Sequence, residues 1–267
     1  FFFKQKTAYE ISTRDWSSDV CSSDLSTGRV RVRKPNLVPS DVTAPAFASA
    51  GGAVEVRWKA SNTGDGATFS GWRASVALGA SSDGSGAIVL GTLDRAEAIA
   101  AGAEAEQVTT VSLPPGMAGN RYLMVTLDVA GQITESNESD NAAVAAAALE
   151  VRAPDLVAGS ITAPATVVPG VPFEVRWTSR NAGTDIATGP WTESVSLSSD
   201  DVVGGDAWVA DMVVSDPLAA GASVERSAMV TVPVDGPAGT FRVVVVTDRA
   251  GVVAESNESN NGAVSEG

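Results

Sequence analysis

Several short stretches of the chain alternate apolar and polar residues, which is the pattern of a β-strand with one buried face. In Val54-Glu55-Val56-Arg57-Trp58 the two valines and the tryptophan fall on one face and the charged residues on the other. Ser75–Leu78 and Gln107–Leu113 alternate in the same way. Leu123–Val129 and Val243–Thr247 are more continuously apolar, as in strands central to a sheet. No stretch has the period of an amphipathic helix, so the pattern predicts an all-β protein.

Turn sequences separate these stretches at short intervals, and about seven short strands in roughly 110 residues predict an Ig-like β-sandwich. The turns are Asn62-Thr63-Gly64, Asp83-Gly84, Pro115-Gly116 and Ala130-Gly131. The only cysteine, Cys21, leaves no inter-sheet disulfide, so a hydrophobic core must hold the fold. Trp58 and its later counterpart Trp177 are the expected anchors of that core.

The whole pattern occurs twice along the chain. Glu55-Val56-Arg57-Trp58 returns as Glu174-Val175-Arg176-Trp177, 119 residues further on. After Pro114 the offset is 120, so Glu135–Asn141 matches Glu255–Asn261. A period of this length indicates tandem structural units. The sequence therefore predicts two tandem Ig-like β-sandwich domains of about seven strands each.

The repeat sets the predicted domain boundaries: repeat 1 spans residues 35–151 and repeat 2 residues 154–264. Residues 26–34 align with the end of repeat 1, so we expect them to be the last strand of a preceding repeat. Repeat 2 is followed by too few residues for a last strand of its own, which predicts a fragment of a longer array. Pro154 favours an extended residue before it, and the short linker predicts an extended, end-to-end arrangement.

Residues 1–25 stand apart from the rest of the chain. Lys4–Ile11 and Arg14–Leu25 match one reading frame of common sequencing-adapter DNA, so the segment resembles translated adapter sequence. It does not fit a targeting peptide, because three phenylalanines are no apolar core and charges begin at Lys4. We expect this segment to be disordered and to pack against neither repeat.

Composition narrows the classes of function. The chain has 32 acidic and 18 basic residues, a net charge of −14, and lacks the basic stripe that binds phosphates. This argues against nucleic acid and anionic lipid as partners. No run of apolar residues is long enough for membrane insertion. Without histidine there is no Ser-His or Cys-His nucleophile pair and no His-ligated metal, so the chain is predicted not to be an enzyme.

Three motifs in each repeat resemble those of a known family. Each repeat starts with Pro-Asn/Asp-Leu-Val, at Pro35–Val38 and Pro154–Val157, and has an Asn-x-Gly after its second strand. Each ends in Asp-x-x-Gly-x-x-x-Glu-Ser-Asn-Glu-Ser-Asx-Asn, at residues 128–141 and 248–261. In these features the chain resembles CARDB, the cell-adhesion-related domain found in bacteria. The resemblance implies an Ig-like sandwich repeated along exported or surface proteins, and it implies no catalytic residues.

Oxygen-bearing side chains crowd acidic turn 1 (residues 128–141) and acidic turn 2 (residues 248–261). Calcium takes about six to eight such ligands at loose geometry, so each turn is a hypothetical calcium site, and no other cofactor is expected. The alternative is structural, with Asn and Ser forming local turns and Glu facing solvent. The residues in question are Asp128, Glu135, Asn137, Glu138, Asp140, Asn141, Asp248, Glu255, Asn257, Glu258, Asn260 and Asn261.

The tryptophans offer a different candidate site. Trp72 and Trp191 occupy matched positions, which favours core packing over a role as sugar-stacking platforms. Trp208 has no aromatic counterpart in repeat 1 and is the candidate for an exposed ligand contact.

These features predict a non-catalytic adhesion or spacer module, extracellular or on the cell surface, within a larger bacterial multi-repeat protein. Its expected partners are a surface protein or polysaccharide and the neighbouring repeats in the same chain. The alternatives are a calcium-rigidified linker and a carbohydrate-binding accessory module of an exported hydrolase.

Overall fold

The computed structural model describes residues 30–69, 71–200, 202–204, 207–236 and 238–266, and no side chain between 205 and 209. The segment 1–25 lies outside the described residues. The described chain contains strands and no helix. The strands are β1 (Leu37–Thr43), β2 (Phe47–Ser49), β3 (Ala53–Asn62), β4 (Trp72–Gly79), β5 (Ile88–Arg95), β6 (Glu104–Ser112), β7 (Gly119–Thr126), β8 (Ala142–Val144), β9 (Leu149–Arg152), β10 (Leu156–Thr162), β11 (Phe173–Asn181), β12 (Trp191–Ser198), β13 (Ala207–Val214), β14 (Ser223–Val230), β15 (Arg242–Val246) and β16 (Gly262–Val264).

Repeat 1 is built from two sheets. One has the strand order β1-β3-β6, and the other has the order β2-β9-β7-β4-β5 with β8 also pairing with β7. Strand β9 pairs in parallel with β2 and antiparallel with β7. Repeat 2 has the sheets β10-β11-β14 and β13-β12-β15-β16. The predicted all-β fold of two tandem sandwiches is confirmed.

The alternation that predicted the strands corresponds to burial in the structure. In β3, Val54, Val56 and Trp58 are buried, whereas Glu55 and Arg57 between them are exposed. The inward residues of both sheets of repeat 1 form one hydrophobic core, which holds the two sheets together without a disulfide. Trp58 and Trp177 are 2% and 1% exposed, so the prediction that they anchor equivalent cores is confirmed.

One strand differs from its predicted pattern. Ser75–Leu78 lies in β4, where Ser75 and Ala77 are buried along with Val76 and Leu78. The half-buried pattern predicted here is therefore wrong. Four residues are too few to separate a half-buried strand from a strand inside a sheet, and β4 lies between β5 and β7.

Neither end of the described chain has the additional strand that a longer array of repeats would place there. Residues 30–36 precede β1 without forming a strand, and residues 26–29 lie outside the described part. In the described part of repeat 2, no strand occupies the position that β9 has in repeat 1. Within the described residues, the chain forms no helix of the length and apolarity that a membrane crossing needs.

Candidate functional site

Acidic turn 1 joins β7 to β8, and acidic turn 2 joins β15 to β16. Each begins with an aspartate in the left-handed region, Asp128 at φ 44° and Asp248 at φ 43°. The carboxylate of Asp128 accepts the backbone N–H groups of Gln132 at 2.9 Å and Ile133 at 2.8 Å. Asp248 accepts the two matched N–H groups at 3.0 and 2.7 Å. Both aspartates therefore shape the turn by satisfying backbone donors.

The first glutamate of each turn is buried, with Glu135 3% and Glu255 2% exposed. One carboxylate oxygen accepts the N–H of Leu37 in repeat 1 and of Leu156 in repeat 2, at the start of the first strand of each repeat. The other accepts the side-chain amide of the asparagine six residues later, at 2.6 Å in both repeats. Burial raises the pKa of Glu135, and it raises the pKa of Glu255 to about 7. Solvent-facing glutamates, the structural alternative, are therefore wrong at these two positions.

The middle of each turn holds itself together locally. Asn137 accepts the N–H and the O–H of the serine two residues later at 3.2 and 2.7 Å. Asn257 does the same at 3.1 and 2.7 Å. Glu138 and Glu258 each accept the N–H of the buried glutamate at 2.8 Å. These contacts are the side-chain-to-backbone turns that Asn and Ser are known to form.

A hydrogen bond between an asparagine and an aspartate joins the end of each turn to the segment that enters the repeat. The two repeats place these residue types the opposite way round. In repeat 1, the amide of Asn36 donates to the carboxylate of Asp140 at 3.0 Å. In repeat 2, the amide of Asn260 donates to the carboxylate of Asp155 at 2.9 Å. The amide and the carboxylate have exchanged places, and the hydrogen bond is kept. This pair was not predicted from the sequence. The signal for it was that Asn36 matches Asp155 while Asp140 matches Asn260, so the two differences between the repeats compensate each other.

Four buried oxygens at the ends of the turns accept no hydrogen bond in the described structure, and a donor or a cation would offset the cost of about 1–3 kcal/mol for each. They are the Oδ1 atoms of Asp140, Asn141, Asn260 and Asn261. Among the described residues, no three or more Asp, Glu, Cys or His side chains are grouped as metal ligands would be. In the structure, hydrogen bonds join the predicted residues of each acidic turn to one another and to the segment that enters the repeat, and this set of contacts is named the clasp. The calcium site stays a prediction.

The Asn-x-Gly loops complete this clasp in a way that the sequence did not reveal. Asn62 is 1% exposed and Asn181 is 0% exposed. The oxygen of Asn181 accepts the N–H groups of Asp155 at 3.1 Å and Gly183 at 3.0 Å. Its amide donates to the carbonyls of Asp185 at 2.7 Å and Leu218 at 2.9 Å. Asn62 makes the four matched bonds, so each asparagine ties three segments of its repeat together.

The same loops also hold the chain segment that enters each repeat. The carbonyl of Ala153 accepts the N–H groups of Thr184 at 2.9 Å and Asp185 at 3.2 Å. The carbonyl of Lys34 accepts the matched N–H groups in repeat 1 at 3.1 and 3.0 Å. Pro154 accepts the N–H of Ser256 in acidic turn 2 at 2.9 Å. Because β9 ends at Arg152, the fastening of repeat 2 begins at the residue that follows the last strand of repeat 1.

The tryptophan candidates separate clearly. Trp72 and Trp191 are each 1% exposed, so they pack in the cores and do not present a sugar-stacking surface. Trp208 lies in β13, and its backbone pairs with Ser196. The side chain of Trp208 is outside the described part of the structure, and its role as a ligand contact stays a prediction.

A buried glutamate in the core of repeat 2 was also missed. Glu193 is 0% exposed, and its carboxylate accepts the indole N–H of Trp177 at 2.5 Å and of Trp191 at 3.2 Å. It also accepts the hydroxyl of Ser179 at 2.8 Å, with the guanidinium of Arg226 at 3.9 Å. This network contains the donors that a buried carboxylate requires.

Repeat 1 replaces this network with apolar residues. Ala74 stands at the position of Glu193, and Ala60 at that of Ser179. The indole nitrogens of Trp58 and Trp72 are buried without a hydrogen-bond partner in the described structure. The polar network therefore belongs to one repeat and is not a shared functional site.

The comparison with protein families agrees with this tandem architecture. The CARDB family model matches residues 34–145 and 153–265. A crystal structure of a CARDB domain from Pyrococcus furiosus in complex with di-metal ions is 15% identical, covers 46% of this chain and 93% of its own, and has a TM-score of 0.34. A domain of a predicted cell surface protein from Methanosarcina acetivorans, solved by NMR, is 28% identical, covers 42% of this chain and 89% of its own, and has a TM-score of 0.33. None of the curated proteins matches the chain.

Proposed function

This chain belongs to the CARDB family, and we propose that its two repeats form a non-catalytic spacer and binding module that is exposed outside the cell, on the cell surface or in a secreted protein. The observation that supports the spacer role is the joint between the repeats. A spacer has to set distance and orientation, which a flexible linker cannot do.

The joint has no free residue. Leu149–Arg152 is strand β9 of repeat 1, and the next three residues are hydrogen bonded to repeat 2. A linker fastened on both sides transmits the orientation of one repeat to the next. The matching contacts of Lys34–Asn36 on repeat 1 support an array in which each repeat receives the preceding segment in the same way.

Pulsed electron resonance between two spin labels tests this proposal. Glu97 and Asp216 are exposed and occupy matched positions, so Glu97→Cys and Asp216→Cys can carry the labels on a Cys21→Ser background. We expect one narrow distance distribution. A control with four Gly-Ser residues inserted after Ala153 should broaden it markedly. A distribution as broad without the insertion as with it would contradict the spacer role.

We further propose that the module acts in adhesion, with its loops binding a surface protein or a polysaccharide. The net charge of −14 and the absence of histidine support a binding role over nucleic-acid contact or His-based catalysis. A carbohydrate-binding role would depend on Trp208, because Trp72 and Trp191 are buried in the cores.

A calcium-rigidified linker is the second candidate, and the four unpaired oxygens at the ends of the acidic turns favour it. An ion that binds only the folded state stabilises it by about 2.7 kcal/mol at a hundredfold excess over Kd, which is on the order of 10 °C for a domain of this size. We expect the melting temperature to be higher in calcium than in chelator by less than this amount, and the rise in magnesium to be smaller still. Asp128→Asn should reduce the calcium effect. Identical melting curves in calcium and in chelator would eliminate this candidate.

A further inference from the structure

Each acidic turn contains a three-residue motif that the spacer role does not use. Only two asparagines of the chain are followed two positions later by a serine or a threonine, in residues 137–139 and 257–259, which both read Asn-Glu-Ser. This spacing, with a residue other than proline in the middle, is the acceptor motif for N-linked glycans. The two motifs lie at matched positions of the two repeats, so one structural setting serves both.

Both motifs lie on the surface of the protein. All three motif residues and the serine before them are exposed in each repeat. The residue before that serine is the buried glutamate of the turn, Glu135 or Glu255. Each motif therefore leaves the domain directly next to an anchored residue and stays open to solvent, where a modifying enzyme can reach it.

The side-chain oxygen of each acceptor asparagine is used in the turn, whereas its amide nitrogen is not. The Oδ1 of Asn137 accepts the N–H and the O–H of Ser139, and that of Asn257 accepts the same two groups of Ser259. Neither Nδ2 atom donates a hydrogen bond within the described residues. An N-linked glycan is attached through Nδ2, so the modification leaves the hydrogen bonds of the turn in place. The serine hydroxyl that the motif requires is already held against the amide, at 2.7 Å in both repeats.

The hydrogen bonds of the turn do not explain why both repeats have asparagine here. An aspartate would offer the serine the same acceptor oxygen and forms the same kind of turn. Where the clasp accepts either residue type, the repeats do exchange them, since Asn36 matches Asp155 and Asp140 matches Asn260. At positions 137 and 257 the amide is present in both repeats, although no hydrogen bond in the described structure uses its nitrogen. A reaction at Nδ2 supplies the need for an amide that the turn itself does not have.

We propose that Asn137 and Asn257 are acceptor sites for N-linked glycans, which rests on the proposed location of the chain outside the cell. The donor is an oligosaccharide held by its anomeric carbon on a lipid pyrophosphate. The bond from Nδ2 to the anomeric carbon forms while the bond from that carbon to the phosphate oxygen breaks. The lipid pyrophosphate leaves with the bonding electron pair, and Nδ2 gives up one proton to a base of the transferase. The chain is the substrate of this reaction, in agreement with a module that has no catalysis of its own.

The two glycans would lie at the end of each repeat where the preceding segment enters. Next to Asn257, the N–H of Ser256 donates to the carbonyl of Pro154 at 2.9 Å, and Ser256 lines a cleft together with Asn120 and Glu150 of repeat 1. Next to Asn137, the matched serine donates its N–H to the carbonyl of Pro35 at 2.9 Å. A glycan is bulky and hydrated, and at these places it adds polar surface beside the joint without entering either core.

Glycosylation of the purified, folded chain tests the proposal. The chain is incubated with an oligosaccharyltransferase that accepts Asn-x-Ser and with its lipid-linked oligosaccharide, and the intact mass is then measured. We expect species heavier by one and by two glycans, with the glycans on the peptides that contain Asn137 and Asn257. Asn137→Asp and Asn257→Asp should each remove one glycan and keep the melting curve, because a carboxylate oxygen accepts the same hydrogen bonds from the serine.

The serine of the motif provides a matched control. Ser139→Thr keeps the hydroxyl and should keep the glycan on Asn137, whereas Ser139→Ala should abolish it while Asn257 of the same molecule is still modified. A synthetic peptide of residues 133–141 reports whether the enzyme reads the sequence outside the fold.

An unmodified folded chain would overturn the proposal whether or not the peptide is modified, because either the turn hides the asparagines or the motif is not read. Modification that survives in Asn137→Asp/Asn257→Asp would overturn it as well. Since the assay uses the purified chain, such a failure leaves the spacer role intact, and the spin-label distances test that role separately.

Discussion

The buried glutamate of acidic turn 2 should make repeat 2 less stable as the pH rises. Burial raises the pKa of Glu255 from its ordinary value of 4.5 to about 7, so the folded protein binds this proton more tightly than the unfolded chain does. The resulting stability is fully present below the unfolded pKa and is lost as the pH rises through the folded pKa. The difference between 4.5 and about 7 corresponds to about 3 kcal/mol, and the side chain is 2% exposed.

Glu255→Gln removes this titration while keeping the shape of the side chain. The remaining carbonyl oxygen can still accept the N–H of Leu156. The new amide faces Asn261, whose unpaired Oδ1 can accept it once the Asn261 amide turns over. We expect the variant to match the natural protein near pH 4 and to exceed it by up to about 3 kcal/mol at pH 8.

Urea unfolding followed by tryptophan fluorescence measures the effect, since Trp177 and Trp191 are buried in repeat 2. With a slope of about 2 kcal/mol per molar urea, 3 kcal/mol moves the midpoint by about 1.5 M. The two repeats can unfold in separate transitions, so the matched variant Glu135→Gln identifies the transition of repeat 1. If Glu255→Gln lowers the midpoint of repeat 2 equally at pH 5 and pH 8, the carboxylate is needed in its charged form and the reasoning is wrong.

Three further mutagenesis experiments test the contacts around the acidic turns and in the core. Asn181→Ala removes four hydrogen bonds and should cost about 3 kcal/mol by urea unfolding, with Asn62→Ala giving a similar loss in repeat 1; a loss below 1 kcal/mol would show that water replaces these bonds. Glu193→Ala leaves two indole N–H groups without an acceptor and should lower stability by about 3 kcal/mol; a more stable variant would show that the desolvation of this carboxylate outweighs its contacts. Asn36→Asp should destabilise repeat 1 by placing two carboxylates together, and Asp140→Asn added to it should restore stability by rebuilding the pair of repeat 2; additive losses in this double-mutant cycle would contradict the exchange.

The fold could be predicted because burial leaves a direct record in the sequence. The alternation around Trp58 reflects burial of one face of a strand, and the turn sequences reflect the backbone conformation that a turn needs. Each pattern occurs in both repeats, which gives independent support for it. Ser75 shows the limit of this reasoning, because burial on both faces of a central strand depends on neighbours that one strand does not specify.

The acidic turns could be located but not interpreted from the sequence. A carboxylate that binds calcium and a carboxylate that accepts backbone N–H groups are the same residue type, and only the position of the donors separates them. For Glu135 the donor is Leu37, and for Asp140 it is Asn36, each about 100 positions away along the chain. A contact at that separation is fixed by the sandwich topology, and no local spacing rule contains it.

The two repeats differ in a core network, whereas both keep the contacts that hold the segment entering the repeat. The core network around Glu193 is absent from repeat 1, where Ala74 takes its place. The clasp is kept, even where its amide and carboxylate exchange positions between Asn36 and Asp140 in one repeat and Asp155 and Asn260 in the other. A core can be stabilised in many ways, because any well-packed set of side chains suffices. The clasp that holds the entering segment must keep its geometry, because a change there would alter the orientation of every repeat joined through it. This difference supports a chain whose function depends on how its repeats are joined, and it is why the spacer proposal rests on the joint.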